Sequence, residues 1–409
     1  IVSATETESP PSGQESPVSE ETAAPEETPK EETSSPEEER PEPDAYFEPI
    51  QTNEIEGWPQ GPAVWAESAV VMDLDSGAIL YEKNMGATKY PASITKILTT
   101  LVAIENSRLD ERVTFSENAI FGIERDSSHI GIRVGEILSM EECLYGMMLE
   151  SANEVCLAVA EHISGSVDAF VELMNQKAAE LGCTNTHFTN PNGLPDELHY
   201  TTASDMAKIA RAAWYNPTFR KYTTTTYYEI PPTNKFAETR YLLNHHKMMK
   251  GNTYAYEGVM GGKTGYTDAA GNTLVTYAKR GNMRLVSVVM KSINGAYADT
   301  AALLDYGFNN FTRTAVKTEP ETMSVSYLPA EKYILKDYKD CTLCHRYQVP
   351  SVTLPNGADI STLNSSRSLC KNSVGLPILE ITYSFNGQRT GCAKYYFQTL
   401  LSDRLISSH

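Results

Sequence analysis

Ser93 and Lys96 are the first two residues whose types and spacing suggest chemistry in this sequence. They lie in the segment 90–96, directly before apolar residues that recur at helical spacing. Because a helix turns once in about 3.6 residues, Lys96 should lie one turn after Ser93 on the same face. A serine hydroxyl is a weak nucleophile until a neighbouring base takes its proton. The pair therefore suggests covalent catalysis.

On its own the Ser-x-x-Lys pattern is weak, since one is expected by chance about once in a chain of this length. Taken alone, the pattern is better explained by a helix N-terminus with an exposed lysine. Further along the chain, a capping box at 139–142 starts a predicted helix, and Ser151 and Asn153 fall at the junction with the next helix. Such a junction can hold a polar pair in a cleft, although a simple helix cap remains an alternative.

A third segment contains Lys263, Thr264 and Gly265. It is not a phosphate loop, because that motif needs a glycine where Glu257 stands and a helix afterwards. Instead, alternating β-branched residues follow, which places the lysine on a strand of an antiparallel meander.

Composition limits the classes of function. The chain has 409 residues, 41% of them hydrophobic, and a net charge of −19, which argues against nucleic acid as a partner. No stretch reaches the roughly 20 apolar residues of a membrane span. The chain does not begin with methionine, which removal of a signal peptide or trimming would each explain.

The sequence predicts three regions. Residues 1–45 are rich in Glu, Pro, Ser and Thr and should form a disordered acidic tether. Residues 46–315 alternate helical and strand patterns, and the Thr- and Tyr-rich stretch 222–230 should be extended. Residues 316–409 read as a small β-rich domain, with short strand patterns at 325–327, 349–354, 377–383 and 394–397. That last region contains four cysteines, for which one or two disulfides or free thiols are favoured over a metal site or haem. They are Cys341, Cys344, Cys370 and Cys392.

The three segments occur together in penicillin-binding proteins and class A β-lactamases. The stretches 91–105, 148–165, 186–211 and 258–292 closely resemble the serine D-alanyl-D-alanine carboxypeptidases, the low-molecular-mass penicillin-binding proteins. The resemblance covers about residues 65–311. It implies an α+β fold in which an antiparallel sheet is flanked by helices and followed by a small all-β domain.

The resemblance also implies roles for individual residues. Ser93 would be the acylated nucleophile, and Lys96 would be the base that takes its proton. Ser151 would relay a proton toward the leaving D-alanine nitrogen. Asn153 would hold the substrate amide and Lys96.

The remaining implied roles concern substrate binding, with no metal and no cofactor. Lys263 and Thr264 would bind the terminal carboxylate of the substrate, and Gly265 would allow close approach of the strand. The main-chain N–H groups of Ser93 and Tyr266 would form the oxyanion hole.

One departure from the family pattern affects the carboxylate. Many members carry an arginine just after the strand that here ends at Met290 and Lys291. Either Lys291 substitutes as a point charge, or Lys263 and Thr264 suffice.

The sequence thus predicts an exported carboxypeptidase that trims D-alanine from peptidoglycan pentapeptides, is acylated by β-lactams, and acts on the outer face of the cytoplasmic membrane. Membrane association through a segment absent from this chain is compatible with the family. The alternatives are a DD-endopeptidase or transpeptidase, a class A-like β-lactamase, and a non-catalytic penicillin-sensing cell-wall protein. No Glu or Asp occurs between Leu181 and Pro195, where a β-lactamase would carry its deacylating glutamate.

Overall fold

The computed structural model describes residues 44–124, 126–293, 295–316, 342–345, 350–371 and 377–398. Most of the predicted tether and the strand predicted at 325–327 lie outside these residues. The described chain begins with a 3-10 helix, Asp44–Phe47. Ala45 in that helix is buried, so ordered structure reaches just inside the predicted tether.

Eight α-helices are present in the described residues. They are α1 (Lys96–Asn106), α2 (Glu117–Phe121), α3 (Met140–Leu149), α4 (Asn153–Ser164), α5 (Val167–Glu180), α6 (Ala203–Tyr215), α7 (Pro217–Thr224) and α8 (Ala296–Asn310).

The described strands before α8 are β1 (Ala66–Asp73), β2 (Ile79–Lys83), β3 (Arg112–Thr114), β4 (Ile137–Ser139), β5 (Tyr227–Ile230), β6 (Arg240–Leu243), β7 (Val259–Thr267), β8 (Gly271–Arg280) and β9 (Met283–Ser292). Those after it are β10 (Phe311–Ala315), β11 (Thr342–His345), β12 (Ser351–Pro355), β13 (Asn364–Lys371), β14 (Pro377–Phe385) and β15 (Gln388–Gln398).

The central element is a five-stranded antiparallel sheet with the strand order β2-β1-β9-β8-β7. Successive side chains of a strand point to opposite faces, and here both faces of β1 are covered. Val70 and Met72 pack against the helical cluster that includes α1 and α6, whereas Ala69 and Val71 pack with residues of α8 on the other face. The sheet is therefore a middle layer between helices, which explains why its strands read as nearly continuous apolar runs.

The helix that carries the Ser-x-x-Lys pattern is the buried centre of the molecule. It opens as a 3-10 helix, Ala92–Thr95, and continues as α1, whose first eight residues are all buried. Ala92 adopts a left-handed φ of 50°, which turns the chain sharply into the helix. A helix buried on every side has no freedom to rotate, so the position of Ser93 is fixed by packing.

The second sheet has the order β10-β12-β15-β14-β13, with β11 paired to β15. Its first strand, β10, follows α8 directly and ends at Ala315. The sheet therefore includes residues that lie before the predicted domain boundary at 315/316. The boundary itself stays a prediction. Thr353 on β12 hydrogen-bonds to Ser76 (2.8 Å) and to Asp73 (3.1 Å) at the end of β1. These buried polar contacts join the two sheets.

The predicted fold class is confirmed: an antiparallel sheet flanked by helices, followed by an all-β sheet. One local expectation is wrong in part: the Thr- and Tyr-rich stretch 222–230, predicted to be extended, is a strand from Tyr227 to Ile230 but begins inside α7. Asn216 caps that helix and Pro217 starts it, and this start signal outweighs the β propensity of the threonines. Among the described residues, no helix has the length and apolar character needed to cross a membrane.

The cysteines of the helical region are free thiols, as is Cys392 of the second sheet. The side chains of the other three C-terminal cysteines lie outside the described part of the chain.

Candidate active site

Lys96 is fully buried at the start of α1, and its side-chain nitrogen meets three oxygen atoms. Nζ lies 2.9 Å from Ser93 Oγ, 2.7 Å from Asn153 Oδ1 and 2.6 Å from the main-chain oxygen of Asn192. The last two oxygens can only accept hydrogen bonds, so each takes one N–H group. When the amine is neutral, its lone pair is therefore left facing the hydroxyl proton of Ser93.

A second buried amine shares the site. Burial lowers the pKa of Lys96 to about 8, although Cys156 and Glu154 act in the opposite direction. Burial, and then the charge of Lys96, lower the pKa of Lys263 well below its usual range. Two buried ammonium groups repel each other, and each loses its hydration. The two amines must therefore be treated as a coupled pair that favours a single proton at neutral pH.

Ser151 connects Lys263 to the junction between α3 and α4. Lys263 Nζ lies 3.1 Å from Ser151 Oγ and 2.9 Å from the main-chain oxygen of Thr264. Ser151 has a left-handed φ of 59°, a conformation that costs a non-glycine residue about 1–3 kcal/mol and is concentrated at functional sites. In the described structure Ser151 hydrogen-bonds to Lys263 rather than to Lys96.

Two glycines allow other chain segments to approach the main chain around Ser93. A Cβ atom on Gly265 would lie 2.9 Å from Ser93 N and would also overlap the Thr273 hydroxyl. A Cβ atom on Gly193, whose φ is +90°, would overlap the main-chain oxygen of Ala92. Strand β7 and the 189–195 loop therefore enclose the nucleophile from two sides, and neither position has room for a side chain.

We expect Gly265→Ala to lower acylation of Ser93 about 100-fold, because a misplacement of about 1 Å near reacting atoms can cost that much. The new methyl group must push β7 away from Ser93 N. The measurement is the second-order rate of labelling by a β-lactam, with thermal unfolding followed in parallel. Gly86→Ala is the matched control, since no atom lies within 4 Å of a Cβ atom at that position. An equally fast Gly265→Ala variant would show that the strand does not crowd the serine.

A buried histidine, His199, ties the loop that contains Asn192 to the helical segment of Ser93. Thr189 N donates to His199 Nδ1 (3.0 Å), so the other ring nitrogen carries the proton and donates to Thr95 Oγ1 (3.0 Å). Burial lowers the pKa of His199 to about 4, so the ring is neutral at physiological pH. Thr99 Oγ1 also donates to Pro191 O (2.6 Å). Helix α1 and the loop are thereby locked together around Lys96.

A cavity of about 940 Å³ opens above these groups. The predicted site residues that line it are Ser93, Ser151, Asn153, Thr264, Gly265 and Tyr266. Lys96 and Lys263 lie buried beneath its floor. The lining of the cavity also includes three carboxylates that the sequence did not single out: Glu124, Asp126 and Asp268. A cavity of this size accommodates a short peptide or a drug-sized molecule.

Lys291 points away from this arrangement. Its Nζ lies 3.0 Å from Glu67 Oε1, and Lys89 pairs with the other oxygen of the same carboxylate. These contacts lower the pKa of Glu67 overall, although burial would raise it. Lys291 does not line the cavity in the described structure. Of the two explanations for the missing family arginine, a point charge supplied by Lys291 is therefore the weaker.

The structure gathers all eight residues singled out from the sequence around one cavity. They are Ser93, Lys96, Ser151, Asn153, Lys263, Thr264, Gly265 and Tyr266. Sequence reasoning missed the Asn192 carbonyl, Gly193 and His199. The turn-rich composition of 189–195 was the available signal, but a carbonyl group has no residue type that could reveal it.

A serine that faces a buried lysine, on a helix packed against an antiparallel sheet, is the arrangement of the penicillin-recognising serine enzymes. Comparison with known proteins narrows this class. The sequence profile of the D-alanyl-D-alanine carboxypeptidase family matches residues 56–294. The chain belongs to this family.

Curated relatives agree with the profile. The chain is 37% identical over 253 residues to D-alanyl-D-alanine carboxypeptidase DacF of Bacillus subtilis. The aligned residues cover 60% of this chain and 63% of the Bacillus protein. The chain is 35% identical over 257 residues to a D-alanyl-D-alanine carboxypeptidase of Mycobacterium tuberculosis, covering 61% and 84%. The match thus spans slightly less than two thirds of the Bacillus protein.

Solved structures extend the similarity to the second sheet. Penicillin binding protein 5 of Haemophilus influenzae is similar over 83% of this chain and 98% of its own, with 29% identity and a TM-score of 0.64. A DD-transpeptidase of Streptomyces is similar over 61% of this chain and 100% of its own, with 28% identity and a TM-score of 0.58.

Proposed function

We propose that this chain is a serine D-alanyl-D-alanine carboxypeptidase that removes the terminal D-alanine from peptidoglycan stem peptides through an acyl-enzyme on Ser93. One observation carries the proposal. Lys96 Nζ lies 2.9 Å from Ser93 Oγ, while the two acceptors Asn153 Oδ1 and Asn192 O hold its other N–H groups. A cell-wall binding protein without acylation chemistry would not need a base held in this orientation.

In the first step the Ser93 oxygen bonds to the carbonyl carbon of the penultimate D-alanine, and its proton passes to Lys96. The carbonyl oxygen becomes an oxyanion, which the main-chain N–H groups of Ser93 and Tyr266 would stabilise. Ser93 stands in the first turn of its helix, where N–H groups have no intrahelical acceptor. Gly265 supports this role because it lets β7 approach Ser93 N.

The leaving D-alanine nitrogen needs a proton as the C–N bond breaks. Ser151 is 3.1 Å from Lys263, so we assign it the transfer of a proton from Lys263 to that nitrogen. The proton that Lys96 took from Ser93 then passes to Lys263 and replaces the one that Lys263 gave up. Asn153 would hold the substrate amide. Lys96, again neutral, would then activate the water that hydrolyses the ester and frees Ser93.

Substrate binding itself would favour the reactive proton arrangement. A terminal carboxylate near Thr264 and Lys263 stabilises an ammonium group on Lys263. Because the two amines favour a single proton, charging Lys263 leaves Lys96 neutral and able to act as base. The carboxylate is therefore expected to contribute to catalysis as well as to affinity.

The pH dependence of acylation tests this account. The reactive form carries the single proton of the pair on Lys263 and leaves Lys96 neutral, so kcat/KM should be level near neutral pH and fall about tenfold per pH unit above pH 8, where the pair loses that proton with a pKa of about 8. In Lys263→Ala the proton can only sit on Lys96, which then cannot act as a base, so kcat/KM should instead rise with pH until Lys96 loses its proton. At neutral pH the rate should also fall about 10²-fold. A profile of unchanged shape would show that the two amines are not coupled.

The proposed substrate and location follow from the family. The chain would act on the D-alanyl-D-alanine end of peptidoglycan, on the extracytoplasmic side where that polymer lies. The β-lactam antibiotics, which present a strained amide and a carboxylate, would acylate the same serine.

A β-lactamase on the same scaffold would differ in deacylation. The loop at 182–195 has no carboxylate, and Asp196 and Glu197, which follow it, are exposed. Because a positioned base contributes about 10²–10⁴-fold, we expect the penicilloyl adduct to persist for minutes or longer. Intact-protein mass spectrometry over time measures its lifetime. Loss of the adduct within seconds, with catalytic turnover of penicillin, would assign the chain to the β-lactamases.

Transpeptidation is a second candidate, favoured by the similarity to the Streptomyces DD-transpeptidase. Both reactions share the acyl-enzyme and differ in whether water or an amine takes the acyl group. Adding an acceptor amine such as glycine or D-alanine to the assay and separating the products measures the partition.

A further inference from the structure

The proposed function places the terminal carboxylate near Lys263 and Thr264, but it assigns no cation from the open cavity to that carboxylate. Lys291 is committed to Glu67 at 3.0 Å. Lys263 is buried, and its charge is tied to that of Lys96. Thr264 lines the cavity but is neutral. A carboxylate that leaves water is best held by a full positive charge at hydrogen-bonding distance.

Lys247 is the one lysine or arginine among the residues that line the cavity in the described part of the chain. Its side chain is exposed. The nearby His245 also lines the cavity, but it pairs with Glu150 at 2.9 Å. Lys247 forms no ion pair with any carboxylate that the structure describes, so its charge is available to a ligand.

The main chain around Lys247 is held firmly beside β7. The neighbouring His246 is buried, donates to or accepts from Thr276 Oγ1 at 2.9 Å, and packs against Gly262, where a Cβ atom would approach its ring to 2.8 Å. Gly262 comes directly before Lys263 and Thr264 on the strand. Lys247 therefore lies on a segment that packs beside Lys263 and Thr264, the two residues proposed to bind the carboxylate.

An aromatic pair fixes the other side of the same segment. Tyr297 and Tyr254 stack with ring centroids 4.8 Å apart. The Tyr297 hydroxyl contacts the main chain of Lys247, and Tyr254 N donates to Lys247 O at 3.1 Å. These contacts hold the main chain of Lys247, while its side chain forms no ion pair among the described residues. A flexible side chain on a fixed main chain suits a charge that must reach a ligand and release it.

We propose that Lys247 is a specificity-determining residue that binds the free carboxylate of the substrate's terminal D-alanine, in the place that an arginine after β9 holds in many members of the family. The inference rests on the proposed function and deepens it. Lys291, which lies near the end of β9, is paired with Glu67 and so does not supply that cation. The inference also makes Lys247 a determinant of preference for peptides that end in a free acid.

The test compares two peptides that differ only at the end: an acetylated L-Lys-D-Ala-D-Ala and the same peptide with a terminal carboxamide. Release of D-alanine from the first and D-alaninamide from the second is measured for the wild type and for Lys247→Ala. We expect kcat/KM for the free acid to fall about tenfold, mainly through KM, with the carboxamide unaffected. Lys247→Arg should restore most of the loss. The unchanged carboxamide rate shows that the variant is folded.

Two matched variants complete the design. Lys250→Ala removes an exposed lysine from the same segment that does not line the cavity, and Lys291→Ala removes the alternative cation. Neither should change the ratio of the two rates. An unchanged ratio in Lys247→Ala, equal loss on both peptides, or an equal effect of Lys250→Ala or Lys291→Ala would overturn the inference. If the wild type releases no D-alanine, the proposed function fails first, and that result is distinct from an unchanged ratio.

Discussion

Ser93→Ala should abolish both covalent labelling by a β-lactam and release of D-alanine, a loss of about 10⁵-fold or more. The described structure gives the Ser93 hydroxyl a buried lysine at 2.9 Å and a position at the start of a fixed helix. No water molecule would be held in the same geometry once the hydroxyl is gone. The measurement is intact-protein mass spectrometry after incubation with penicillin, together with a D-alanine assay.

Other serines in the cavity provide the control for this experiment. Ser127 and Ser128 line it as Ser93 does, and neither hydrogen-bonds to a lysine in the described structure. Ser127→Ala and Ser128→Ala should both retain full labelling. If the Ser93→Ala protein is still labelled, the nucleophile is another residue and the proposed mechanism is wrong.

Lys96→Ala should bind substrate but acylate about 10⁴-fold more slowly, at the upper end of what a general base contributes. The substrate carboxylate and amide are held by other residues, so non-covalent affinity should change little. Stopped-flow labelling gives the acylation rate, and titration with a slowly reacting peptide gives the affinity.

A second variant separates loss of the base from loss of packing. Lys96→Arg retains a long cationic side chain but cannot give up its proton, so it should be as slow as Lys96→Ala. If Lys96→Arg acylated within about tenfold of the wild-type rate, Lys96 would be a structural cation and the base would lie elsewhere.

Much of the site followed from local sequence patterns. The spacing of Ser93 and Lys96 fixes them on one helix turn whatever surrounds them. The capping box at Ser139 and the helix start at Asn153 fix the junction that contains Ser151. Lys263 could be placed on a strand because the residues after it alternate in character, as expected when successive side chains of a strand point to opposite faces.

The rest depends on contacts between distant parts of the chain. Lys96 and Asn192 are 96 residues apart in sequence, and a main-chain carbonyl leaves no trace in residue type. The pairing of Lys291 with Glu67 could not be foreseen because both are ordinary charged residues until β1 and β9 become neighbours. The cavity position of Lys247 likewise depends on the stacked tyrosines behind it.

The central claim is an acyl-enzyme on Ser93 that forms with loss of D-alanine, and trapping that intermediate tests it most directly. The protein is mixed with a D-alanyl-D-alanine peptide, quenched in acid after milliseconds to seconds, digested and analysed by mass spectrometry. The account predicts an adduct of the peptide minus one D-alanine on the fragment that contains Ser93, with one D-alanine released per adduct in the first turnover. Release of D-alanine without any adduct on that fragment, or an adduct on another residue, would contradict it.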